Sequence, residues 1–223
     1  MPLIELEKIT FAYAPAEPPV LRELSMSVEA GECVALTGDN GSGKTTLLRI
    51  LNGLSFPQKG VYRFDGTEIT AALLKKNAAA KAFHRRVGFL FQNPDVMLFS
   101  ASVYDEIAFG PRQLGLSEAE AEDRVRDCMA LFSLEPLRDK APYHLSGGQK
   151  KQVALAAVLA LNPEVLVLDE PLAGLDRKTR AKVLELLTEL KQAGKTLLAA
   201  THDPELRDAL ADRIVELSAA EAE

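Results

Sequence analysis

Cysteine is scarce in this 223-residue chain: Cys33 and Cys128 are its two thiols. That is too few for a disulfide scaffold, and they read as free thiols packed in a protein of a reducing compartment. Basic charge is also in deficit, with a formal net charge of −6. Nucleic-acid binding through counterion release is thereby excluded as the main activity, and any phosphate the chain binds has to be held locally. Long apolar runs are missing too. The longest, Val153 to Leu161, falls far short of the ~20 residues a spanning helix needs, so if a membrane is involved another chain crosses it. The start, MPLIELEKIT, alternates apolar and polar residues instead of showing the charged-then-apolar layout of a signal peptide, and is expected to be a first strand. There is no internal repeat and no low-complexity tract. The alanine- and glutamate-rich end, Ala219 to Glu223, is expected to fray.

What remains is a globular composition, 47% hydrophobic and 26% charged. It suits one sizeable α/β domain with a small helical insert. Alternation over Leu3 to Ile9 and Leu21 to Val28, around the proline-rich turn Pro15 to Pro19, predicts an antiparallel hairpin. Buried strands are expected at Cys33 to Leu36, Val87 to Phe91, Val165 to Leu168 and Thr196 to Ala200. Further strands are expected at Val61 to Phe64 and Ile214 to Leu217. Helices are expected from Lys44 to Gly53, Ala71 to Phe83, Arg177 to Gln192 and Pro204 to Leu210. Ser117 with Glu120 forms a capping box opening a helix through Leu131, and Ser146 opens another through Leu161. Strands alternating with helices at both ends imply a mostly parallel sheet covered on both faces. A helical arm is expected over about 94–157, inserted into a core of about 1–93 and 158–217.

Three motifs carry chemistry. GDNGSGKT, Gly38 to Thr45, fits the phosphate-binding pattern G-x-x-x-x-G-K-[ST] between a strand and a helix. Gly38, Asn40, Gly41, Ser42, Gly43 and Thr46 belong to this loop and the helix start, where backbone N–H groups approach phosphate oxygens. Lys44 supplies a point charge and Thr45 a hydroxyl for Mg²⁺. Asp169 and Glu170 follow the strand Val165 to Leu168, at the sheet edge where ligands bind. Asp169 is the expected Mg²⁺ holder, and Glu170 accepts a proton from, or orients, the attacking water; read alone, such a pair is also a helix N-terminal charge. LSGGQKK, Leu145 to Lys151, sets Ser146, Gly147, Gly148 and Gln149 at a second helix start, a capped end that is also an anion site.

With those three motifs in this order, the whole chain resembles the ABC (ATP-binding cassette) ATPases. The resemblance implies a RecA-like P-loop core, ATP and Mg²⁺ as ligands, and a head-to-tail dimer in which the Ser146 turn of one subunit completes the ATP site of the other. It assigns Tyr13 to stacking on adenine, although Phe11 could do so instead. It likewise implies that Gln92 senses γ-phosphate and Mg²⁺, that Asp176 is the D-loop aspartate and that His202 is the switch histidine, where a lone histidine is otherwise structural or exposed. The segments FQNPDVMLFSASVYDEIAFGPRQLGLS and LSGGQKKQVALAAVLALNPEVLVLDEPLAGLD look specifically like the energy-coupling-factor group, the ATPases of cobalt, nickel and vitamin importers. Met97 departs from that group's usual glutamine, Gln152 from its usual basic residue, and the chain stops soon after Leu217 where many members continue into an extension that stabilises a dimer.

The implied function is the ATP-hydrolysing subunit of an importer at the cytoplasmic face of a membrane. Its partners are an identical or a related ATPase chain and an integral membrane subunit, with no nucleic acid. In that architecture solute selectivity lives in the membrane or binding subunits. The rival reading is a soluble ABC protein of DNA repair or translation, which would bring coiled-coil inserts, paired cassettes or basic surfaces. A regulatory protein that binds ATP without turnover would lack Glu170, Gln92 and His202, all of which are present.

Overall fold

Pairing at the N-terminus follows the alternation of the sequence. The computed structural model describes residues 1–218, and the end expected to fray lies outside the described residues. Strands β1 (Ile4–Phe11) and β2 (Leu21–Val28) pair antiparallel, with Ile4 opposite Val28. Left-handed backbone at Lys8 and Glu23 accompanies shifts in register. These bulges reset the alternation, which carries β1 beyond Ile9 and turns Phe11 into the core.

Next come β3 (Cys33–Thr37), α1 (Lys44–Leu51), β4 (Lys59–Phe64) and β5 (Thr67–Glu68). β4 adds to the other edge of β1 and β5 to β4, so the hairpin grows into a four-stranded antiparallel sheet of order β2-β1-β4-β5. The single helix expected over Ala71 to Phe83 is instead two, α2 (Ala71–Leu74) and α3 (Asn77–Arg86), with Lys76 extended between them. Leu74 and Phe83 would fall on opposite faces of one continuous helix. Both pack beside Gly53, and the break at Lys75 and Lys76 makes that possible.

The remaining elements are β6 (Val87–Leu90), α4 (Val103–Gln113), α5 (Glu118–Phe132), α6 (Gly147–Leu159), β7 (Val165–Asp169), α7 (Arg177–Gln192), β8 (Thr196–Ala200), α8 (Pro204–Leu210) and β9 (Arg213–Glu216). Ser117 and Ser146 both form complete capping boxes. The second sheet has the order β6-β7-β8-β3-β9, with every described pairing parallel. Its inner strands β7, β8 and β3 are buried on both sides, as a parallel sheet requires, while the edge strand β9 is mostly exposed. Leu166 and Leu168 of β7 join the apolar cluster formed with α4 to α7. Val165 and Val167 point the other way, into the cluster shared with α1 and the antiparallel sheet. The register sets Leu36 and Asp169 each beside Ala200, so the chain leaves β3, β7 and β8 at one common edge. Ligands bind at this carboxyl edge in open α/β sheets.

Candidate functional site

A cavity of about 500 Å³ opens at that edge. The loop between β3 and α1 forms one wall. Gly43, the N-cap of α1, has φ 95 and gives the helix no side-chain cap, leaving its first amides to an outside acceptor. A Cβ on Gly43 would come within 2.7 Å of the Leu21 side chain, so both its backbone and its surroundings require glycine. Gly38 is equally confined, because a Cβ there would meet the carbonyl oxygen of Leu217. Lys44 reaches back across the loop, its Nζ donating to the carbonyls of Gly38 at 2.6 Å and Asp39 at 2.8 Å. Ser42 Oγ is buried within the loop without a hydrogen-bond partner.

The opposite wall comes from the ends of β7 and β8. Asp169 Oδ2 accepts from Thr45 Oγ1 at 3.0 Å. Burial raises the pKa of Asp169 above the ordinary aspartate value, and the Thr45 hydrogen bond opposes this. Glu170 follows in left-handed backbone, φ 46, a conformation that costs a non-glycine residue about 1–3 kcal/mol and recurs at functional positions. Its amide donates to the Ala200 carbonyl at 2.9 Å, and its Oε1 accepts from the His202 amide at 3.1 Å. Burial also raises the Glu170 pKa, against the pull of nearby His202. His202 Nε2 stands 4.0 Å from the same carboxylate oxygen. A carboxylate lifted toward the working pH and aimed by two backbone contacts suits proton acceptance from water.

The structure brings Tyr13, Asn40, Gly41, Gly43, Lys44, Thr45, Thr46, Gln92, Asp169, Glu170 and His202 to this single cavity. It also separates Tyr13 from Phe11. Phe11 is buried in the core, whereas Tyr13 is 58% exposed, edge-on to Phe11, with its hydroxyl 2.9 Å from Thr46 Oγ1. Gly38 and Ser42 support the loop without lining the space. Ser146, Gly147, Gly148, Gln149 and Asp176 are not among the lining residues. Ser146 caps α6, a Cβ on Gly147 or Gly148 would touch nothing within 4 Å, and Asp176 caps α7 by accepting from the Lys178 and Thr179 amides. The Ser146–Gly148 turn is therefore a prepared helix end that lies outside this cavity.

Lys151 is a site residue that pattern reading passes over. It lies on α6, 2% exposed, and donates to the carbonyls of Gln92 at 2.9 Å and Phe91 at 3.3 Å. Burial lowers its pKa to about 8, while Asp169 and Glu170 pull the other way. No spacing rule distinguishes it from Lys150 beside it, which is half-buried and pairs with Asp95. The apolar residues that follow Gln92, Val96 to Phe99, divide in two. Val96 and Phe99 are 66% exposed, while Met97 and Leu98 are half-buried and pack on the core. The buried Glu106 holds this strip by accepting from the Phe99 and Ser100 amides at 2.8 and 2.7 Å. Beside it an apolar hollow of about 280 Å³ is lined by Phe89, Phe91, Met97, Phe109 and Leu161, among others.

Among the described residues, no group of three or more His, Cys, Asp or Glu side chains could hold a metal alone. The hard oxygen donors of Thr45 and Asp169 fit an ion that arrives with phosphate oxygens completing its shell. No described helix is long and apolar enough to cross a membrane.

Residues 21–173 match the ABC transporter family. The chain is 47% identical over 213 residues to the nickel import ATP-binding protein LarO of Lactiplantibacillus plantarum, covering 96% of this chain and 88% of that one. It is 48% identical over 221 residues to the nickel import ATP-binding protein NikO of Rhodobacter capsulatus, covering 98% and 86%. Among solved structures it is similar to cbiO1 of Clostridium perfringens, part of the ABC transporter complex cbiONQ. That match has a TM-score of 0.81 and 34% identity over 99% of this chain and 87% of that one. A dimeric ATP-binding cassette in a post-hydrolysis state with ADP and Pi superposes with a TM-score of 0.87 and 28% identity, covering 99% and 97%.

Proposed function

The chain belongs to the ABC transporter family as an ATP-hydrolysing subunit, and from that premise we propose that it powers an energy-coupling-factor type importer for a transition-metal ion, nickel or cobalt, or for a vitamin. The two nickel import relatives and the cbiONQ neighbour support that cargo class. Their being transporter subunits favours transport over DNA repair or translation.

The convergence of Lys44, Asp169, Glu170 and His202 on one cavity is the observation that carries the catalytic reading. The amides of the Gly38 to Thr46 loop and the start of α1 hold the phosphates, with Asn40 and Gly41 at the rim, and Lys44 places its charge against the β- and γ-oxygens. Tyr13 stacks on the adenine. Thr45, Asp169 and Gln92 would hold Mg²⁺, which neutralises charge developing on the phosphates when bound. Glu170 accepts the proton of the attacking water, with His202 beside the γ-phosphate. Ser146, Gly147, Gly148, Gln149 and Asp176 serve the nucleotide of a second subunit, identical or related, so ATP closes the pair and hydrolysis reopens it. The arm over about 94–157 carries that turn. At the cytoplasmic face, the membrane subunit docks at the apolar hollow beside Phe99 and Met97.

Glu170→Gln tests the catalytic reading, since an amide keeps shape and polarity but takes no proton. Hydrolysis should fall by about 10²-fold or more while ATP is still bound. Light scattering should show a monomer without ATP and a dimer with it; a mass that stays monomeric at saturating ATP refutes the sandwich. Phe99→Asp tests docking. It should keep basal hydrolysis and lose copurification with the membrane subunit, and a retained complex counts against this face.

A further inference from the structure

The pairing of β6 with β7 ends at Leu90 opposite Leu168. Beyond it, the chain turns along the cavity toward Gln92. The carbonyls of Phe91 and Gln92 point to α6, where the ammonium of Lys151 holds both. Among the described residues, Lys151 makes no ion pair within 4.0 Å. The next contact along the same loop is also a lysine of α6, Lys150, whose Nζ lies 2.6 Å from Asp95 Oδ1. Two successive side chains near the start of α6 thus clip the segment 91–95 to the helix that begins with the Ser146 turn.

Burying a cation is costly, and here the two carbonyls and the nearby charges of Asp169 and Glu170 offset that cost; an apolar side chain would avoid the desolvation but leave both carbonyls without their donor. The two effects oppose each other, and stability alone does not single out a lysine at this position. Its location does. Gln92 lines one cavity, while the Ser146 turn is prepared for another, and Lys151 joins the backbone of the first to the helix of the second.

We propose that Lys151 is a positioning residue for ATP hydrolysis. It pins the Gln92 backbone to α6, so that the Gln92 side chain and the Ser146–Gly148 turn advance on their nucleotides as one unit. Lys151 touches no reacting atom and acts through Gln92. The inference rests on the reading of Gln92 as the residue that meets the γ-phosphate.

The experiment combines Lys151→Met and Lys151→Arg with Gln92→Ala in the full-length chain, measuring kcat, the equilibrium dissociation constant for MgATP and the melting temperature. Lys151→Met should lower kcat about tenfold or more, as small misplacements in an active site do, yet leave MgATP affinity within about threefold, with the melting temperature lower by a few degrees for the lost donor to two carbonyls. Lys151→Arg should recover most of kcat, because its fork can reach the same carbonyls. In the Gln92→Ala background, Lys151→Met should cause no further loss, the non-additivity expected of residues acting as a unit. An unchanged kcat in Lys151→Met, an equal loss of affinity and kcat, or losses that multiply with Gln92→Ala overturns the proposal. Full turnover in Gln92→Ala alone also overturns it, by refuting the reading of Gln92 rather than the clip. Failure of both Lys151→Met and Lys151→Gln to fold makes Lys151 a core residue and overturns it as well.

Discussion

The two glycine-rich helix starts, of α1 and α6, have the same ingredients and opposite finish. α1 begins at Gly43 with no side-chain cap and opens into the cavity, so its first amides are left for a ligand. α6 begins at Ser146 with a complete capping box: Ser146 Oγ accepts from the Gln149 amide, and Gln149 Oε1 accepts from the Ser146 amide. Its glycines face open space. An N-terminus finished by its own side chains is stable without a ligand, whereas one left unfinished needs the anion it was shaped for. The first makes a site within the chain. The second is a surface ready to meet a site elsewhere.

Lys44→Ala strikes that contrast hardest. Removing the charge from the α1 site should cost about 10²–10³-fold in turnover with an unchanged circular dichroism spectrum. Wild-type hydrolysis in this variant would end the claim that α1 is the catalytic anion site. Gly148→Asp comes next. Its side chain has room, so the fold should persist and a single chain should still bind ATP. Its charge facing a partner's phosphates should lower turnover by about tenfold or more, since like charges across an interface repel by several kcal/mol. Mixing the Lys44→Ala and Gly148→Asp chains sharpens the point. If α6 works in trans, mixed dimers regain one intact site and activity returns; if it works in cis, the mixture stays inactive. Ser146→Ala should do least to the isolated chain. Loss of the cap should cost about 1 kcal/mol, a melting temperature lower by about 3 °C in calorimetry.

Much of this was legible in the sequence where one local rule decides. α7 and α8 have the expected bounds because Asp176 and Asp203 cap them and accept from the amides that follow. The loop of Gly38 to Thr45 and the pair Asp169–Glu170 were readable because their chemistry needs fixed residue types at fixed spacing. Other features depend on distant partners. α4 carries Pro111 inside it, a breaker by local rules, and is held by packing between α5 and α6. The break between α2 and α3 answers to Gly53. The choice of Tyr13 over Phe11 depends on bulges in β1 and on Thr46. Lys151 is invisible in its own stretch because what distinguishes it, the carbonyls of Phe91 and Gln92, comes from the loop after β6, far back in the chain.

The placement of β3 has a consequence for how the protein is made. The strand that delivers the phosphate-binding loop pairs on one side with β8, Cys33 beside Leu197, and on the other with β9, Val34 beside Arg213. On a ribosome, Lys44 emerges long before either partner, and closing so long a stretch of chain is slow. The antiparallel sheet, whose strands all lie before Ile69, can pair early, while the nucleotide site waits for the last strands to be synthesised. A nascent chain stalled before Thr196 would hold every residue of the phosphate-binding loop yet have no strand on either side of β3 to hold that loop in place.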